Sequence, residues 1–63
     1  MTRVVLELPP DEAEALAQLV KRTGVDDCRQ RASRYDGGLE ADLMWSAVQK
    51  LQHALAETGF APR

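Results

Sequence analysis

Alternation of apolar and polar side chains at the start of the chain gives way to a helical period within ten residues. Val4, Leu6 and Leu8 alternate with Arg3, Val5 and Glu7, the period-two pattern of a strand with one side turned to a core. A strand over residues 3–8 is therefore predicted. Pro9-Pro10 closes it, since proline donates nothing to a ladder. Pro10 also suits the first turn of a helix, where the missing N–H is not needed. From there Ala13, Leu16, Leu19 and Val20 recur at spacings of three and four, the apolar stripe of a helix over residues 10–23. Asp11, Glu12 and Glu14 stand in its first turns and Lys21 and Arg22 in its last, each sign where the helix dipole favours it. Gly24 is expected to close this helix in the left-handed conformation.

A longer helical pattern covers residues 39–58. Met44, Ala47, Val48, Leu51, Leu55 and Thr58 form its stripe, flanked by Leu43 and Ala54 on one side and Ala41 on the other. Asp42, Ser46, Gln49, Lys50, His53 and Glu57 fall on the far face. Gly59 ends the helix, Pro62 keeps it from resuming, and Phe60 is placed to fold back on the last turn. Between the two helices, residues 25–36 read as a short helix or a loop. Asp26 would cap a turn on which Val25, Cys28 and Ala32 share a face, and Gly37-Gly38 would end it.

A lone strand cannot satisfy its own backbone donors and acceptors. No later segment reads as a second strand, so Val4, Val5, Leu6 and Leu8 are expected to pair with the same strand of another copy. The expected fold is α+β and mostly helical: one N-terminal strand, then an antiparallel helical hairpin with a short helical connector, the strand pairing across a homodimer. The alternative is a monomeric helical bundle whose N-terminus is merely extended. At 63 residues the chain is one small domain, and chains of this size usually need a disulfide, a metal or a partner subunit. Cys28 is the single cysteine and His53 the single histidine. An internal disulfide is thus excluded and a four-ligand metal site is not expected. Oligomerisation remains.

Charge and hydropathy narrow the partners. Ten acidic and eight basic residues leave a net charge of −2, which gives no overall attraction to nucleic acid or to an anionic membrane. No apolar run approaches the roughly 20 residues that span a bilayer. The N-terminus lacks the layout of a secretory signal, so a reducing cytosol is the expected compartment.

No catalytic constellation emerges, and neither an enzymatic activity nor a cofactor is expected. His53, among Gln49, Lys50 and Glu57, reads as a surface histidine without a nucleophile in helical reach. Cys28 reads as a small core residue. Trp45 lies at the edge of the long helix's stripe. It could mark a docking surface, because tryptophan is enriched at interface hot spots, or it could cover the middle segment. Arg29, Arg31, Arg34 and Tyr35 form a basic and aromatic cluster, bracketed by Asp26, Asp27 and Asp36. This cluster reads as a solvated connector, as a grip for phosphates and a base, or as a surface for an acidic patch on a protein. The acidic run Asp11, Glu12 and Glu14 could imitate nucleic-acid phosphates to a basic host protein.

Two resemblances follow from these residues. The opening from Arg3 to Leu8, a proline, and a helix ending in Lys21-Arg22-Thr23-Gly24 resembles ribbon-helix-helix proteins. That resemblance implies an antiparallel ribbon between two copies, with Arg3, Val5 and Glu7 directed at DNA, in a transcriptional regulator or antitoxin. Leu6-Glu7-Leu8, Ala15-Leu16-Ala17-Gln18, Lys21-Arg22, Asp26-Asp27 and the closing segment from Ala54 to Arg63 look similar to short proteins of phages and other bacterial mobile elements. This second resemblance implies a host protein as partner and a role as inhibitor or modulator, of the kind anti-CRISPR proteins play. The expected function is a non-enzymatic protein-binding module, with the ribbon-helix-helix regulator as the alternative.

Overall fold

The computed structural model describes residues 1–33 and 37–59. Helix α1 runs Pro10–Arg22, with proline in its first turn and Asp11 and Glu12 beside it. The Ala13 N–H donates to the Pro9 carbonyl at 2.9 Å, which seats the helix directly on the extended segment before it. The end of α1 differs from the expectation. Thr23 caps it, its hydroxyl donating to the Leu19 carbonyl at 2.9 Å. Gly24 is extended (φ −103, ψ 179) rather than left-handed, because it serves the next helix instead.

Helix α2 is Val25–Arg31, one short element of seven residues. The Gly24 amide donates to Asp27 Oδ2 at 2.8 Å, so Asp27, and not Asp26, reaches back to the start of the helix. Gly37 (φ 68) and Gly38 (φ 90) then turn the chain through the left-handed region, where glycine carries no steric penalty. Helix α3 follows as Leu39–Glu57. It closes at Thr58 and at Gly59, another positive-φ glycine, whose N–H donates to the Ala56 carbonyl at 3.1 Å. Arg34, Tyr35 and Asp36, and the closing segment with Phe60 and Pro62, lie outside the described residues.

Among the described residues α1 and α2 each pack against α3 and not against one another. The centre of the α1–α3 contact is Ala17, Val20 and Leu55, with Leu16, Val48 and Leu51 half-buried around them. Ala17 is 1% exposed and Leu19 61%, so Ala17 stands in the stripe where Leu19 was expected. A small side chain lets the two helix backbones approach, and a leucine there would hold them apart. Gln52 ties the same pair: its Nε2 donates to the Val20 carbonyl at 2.7 Å, across 32 positions of sequence. At the other end of α3, Ala41 is buried where α2 packs, and Cys28 is the buried residue of α2.

The expected N-terminal strand is not present. The described residues form three helices and no strand, so the α+β fold with strands paired across a homodimer is corrected to an all-helical one. The antiparallel ribbon implied by the ribbon-helix-helix resemblance is absent with it. Val4, Val5 and Leu6 are exposed and Leu8 is half-buried, in a segment that forms no strand or bridge with any of the described residues. The physical reason is that apolar alternation is shared by strands and by lone extended segments. Only an adjacent edge with free donors and acceptors makes the second into the first. Helices α1 and α3 offer side chains and not an edge.

The resulting molecule is a slab. Its extents are 38 × 27 × 15 Å. Its radius of gyration is 12.8 Å, against about 10.6 Å for a compact domain of this length.

Candidate protein-binding surface

Helix α3 carries a wider apolar arc than its neighbours cover. The stripe read from sequence centres near Leu51, whereas the covered arc runs through Ala41, Val48, Gln52 and Leu55. At 100° per residue the two centres differ by roughly 60°. Rotation of α3 by that amount turns Leu39, Leu43, Ala47 and Ala54 out of the helical core, and all four are exposed. Leu39 is 59% and Leu43 62% exposed.

The extended N-terminal segment borders this flank. Val4, Leu6 and Leu8, the alternating set, line one wall of an open groove of about 890 Å³. Ala13 and Leu16 of α1 and Ala47, Leu51, Ala54 and one side of Leu55 of α3 supply the rest of its apolar lining. Two charged side chains of opposite sign, Glu7 and Lys50, share the lining with Thr2 and Thr58. The groove is therefore chiefly alkyl carbon with one acid and one base. It has the composition of a surface for side chains of another polypeptide rather than for a phosphate or a metal.

Exposure of the whole chain points the same way. A compact monomer of 7.0 kDa leaves about 4,000 Å² accessible. This chain leaves 5282 Å², an excess of roughly 1,200 Å². Among the described residues no large side chain is fully buried, and those that are buried are Ala13, Ala17, Val20, Cys28, Ala41 and Leu55. Met1, Val4, Val5 and Leu6 of the N-terminal segment are exposed. Leu39 and Leu43 are exposed as well, nearer the start of α3 than the residues that line the groove.

The other residues singled out by sequence are dispersed. Trp45 is half-buried on α3, one turn beyond Ala41 and on the side away from the groove. Arg29 Nη1 lies 3.6 Å from Asp26 Oδ1, and Arg31 Nη1 lies 3.6 Å from Asp27 Oδ1. Both pairs are exposed, and such pairs contribute only about 0–1 kcal/mol. They do neutralise α2 locally, leaving no basic patch on the described part of the connector. Asp11, Glu12 and Glu14 are exposed on α1, with Asp11 Oδ1 accepting from the Glu12 amide at 3.0 Å. His53 Nε2 stands 3.0 Å from Glu57 Oε1, both exposed, outside the groove. Among the described residues no group of His, Cys, Asp and Glu is placed to hold a metal ion. No described helix is long and apolar enough to cross a membrane.

The groove was not legible from the sequence, though its parts were. Leu43 and Ala54 read as flanks of the stripe, and Val4, Leu6 and Leu8 as one side of a strand. The signal that unites them is the width of the α3 arc, since one α1 and one short α2 cannot cover it.

The model of a family of unknown function (DUF7706) matches residues 1–63, the full length of the chain. No curated protein and no solved structure matches it.

Proposed function

The chain belongs to that family of unknown function, and from this premise we propose that it is a non-enzymatic protein-binding module. Its docking surface is the open groove and the exposed flank of α3. The observation that carries this reading is the set of exposed apolar side chains Leu39, Leu43, Ala47 and Ala54 on α3, with Val4 and Leu6 of the N-terminal segment beside the groove. Water contact with such a surface costs about 25 cal/mol per Å², and a partner that covers it recovers that energy. The module acts by occupying a surface of another protein, as an inhibitor or modulator does. The resemblance to short proteins of phages and mobile elements supports a host protein as its target. Trp45 and the acidic run Asp11, Glu12 and Glu14 lie outside the groove.

A photo-crosslinking side chain placed at Leu43, and separately at Gln49 on the other side of α3, tests this in bacterial cells. Discrete protein adducts at position 43 and not at position 49 are expected. Absence of any adduct at position 43 would overturn the reading.

A further inference from the structure

We infer that the first occupant of this groove and flank is a second copy of the chain, in a two-fold dimer built on α3. The inference rests on the protein-binding reading of that surface and names its partner. Contact is made between helix flanks, not between N-terminal segments.

Three observations carry it. The molecule is only 15 Å in its short dimension, and the flank of α3 that carries Leu39, Leu43, Ala47 and Ala54 is exposed. A second copy laid on that flank gives its apolar stripe the packed neighbour that such a stripe needs. Over the whole chain the accessible surface exceeds that of a compact monomer by roughly 1,200 Å², comparable with the about 800 Å² that each partner contributes to a standard interface. The core is small enough that a chain of this length needs such help.

Shape and charge then favour a copy over an unlike protein. A two-fold interface brings the same patch of both protomers together, so the patch must complement itself. Leu39, Leu43, Ala47 and Ala54 lie within about 80° of arc on α3. Where two such helices cross antiparallel, the leucines of one seat over the alanines of the other, large against small. Glu7 and Lys50 line the same groove, and no ion pair is formed by either among the described residues. A two-fold operation sets the acid of one protomer towards the base of its partner. The patch is neutral overall although the chain is not, which removes like-charge repulsion between copies.

Sedimentation equilibrium over micromolar concentrations, with helix content followed by circular dichroism, provides the test. Wild type is expected at twice the 7.0 kDa of one chain. Leu43→Glu is expected to weaken self-association by about tenfold or more, because a charge would be buried in the apolar contact. A second pair of variants keeps the test sound if Leu43→Glu loses its helices. Glu7→Lys and Lys50→Glu, each like-charged across its own interface, should associate less well alone than when mixed one to one. A single-chain mass at every concentration, or no preference for the mixed pair, would overturn the dimer. With heterologous adducts still formed at position 43, that result would leave the binding-module reading standing. A single-chain mass without adducts would end both.

Discussion

The two flanks of α3 solve different problems with the same kinds of residue. One carries Ala41, Val48, Gln52 and Leu55 and is covered by α1 and α2. The other carries Leu39, Leu43, Ala47 and Ala54 and is open. The covered flank includes a glutamine and packs in a core whose most buried residue is an alanine, Ala17, while the open flank displays two leucines. Burial here follows the position of neighbours and not the hydrophobicity of the residues.

The comparison breaks first at Leu55. Leu55→Ala removes the large side chain at the centre of the α1–α3 contact, a change that costs about 2–5 kcal/mol. A core in this size range supplies only about 3–5 kcal/mol in all. Loss of most helical signal at 25 °C is therefore expected by circular dichroism, and a fully folded variant would show that the α1–α3 contact is not what holds the chain. Gln52→Ala is the next step down. It leaves the Val20 carbonyl without its 2.7 Å donor, a loss of about 1–2 kcal/mol, read as a lower urea midpoint. A midpoint equal to wild type would mean that water replaces the amide without cost. Smallest should be Leu43→Ala, compared at a dilution where the chains are single. A side chain 62% exposed contributes little to its own subunit, and a change within about 0.5 kcal/mol is expected. A penalty as large as that of Leu55→Ala would erase the distinction between the flanks.

The helix boundaries were largely readable, because they depend on local chemistry. Pro10 with Asp11 and Glu12 marks a start, and Gly59 after the last periodic residue marks a stop. Local chemistry also misleads where one residue can serve two helices. Gly24 suits the end of α1, yet its extended backbone and its bond to Asp27 belong to α2. Three other features depend on distant residues and left no local trace. Ala17 displaces Leu19 because α3 approaches closely, which a binary apolar pattern does not record. Gln52 reads as merely polar until the Val20 carbonyl is brought beside it. Val4, Leu6 and Leu8 alternate as a strand does, but pairing needs an edge that the described residues do not form. The site inherited that difficulty. Each wall of the groove was visible as a pattern, and the rotation of α3 that brings the walls together was not.

The most direct test is a methyl-resolved NMR dilution series on the leucines and valines of the chain. Leu43, Leu39 and Leu6 resonances are expected to shift with concentration while Val20, buried in the α1–α3 core and outside the groove, holds still. Concentration-independent shifts at Leu43, or equal shifts at Val20, would contradict the claim that the open flank of α3 is the surface that meets another protein.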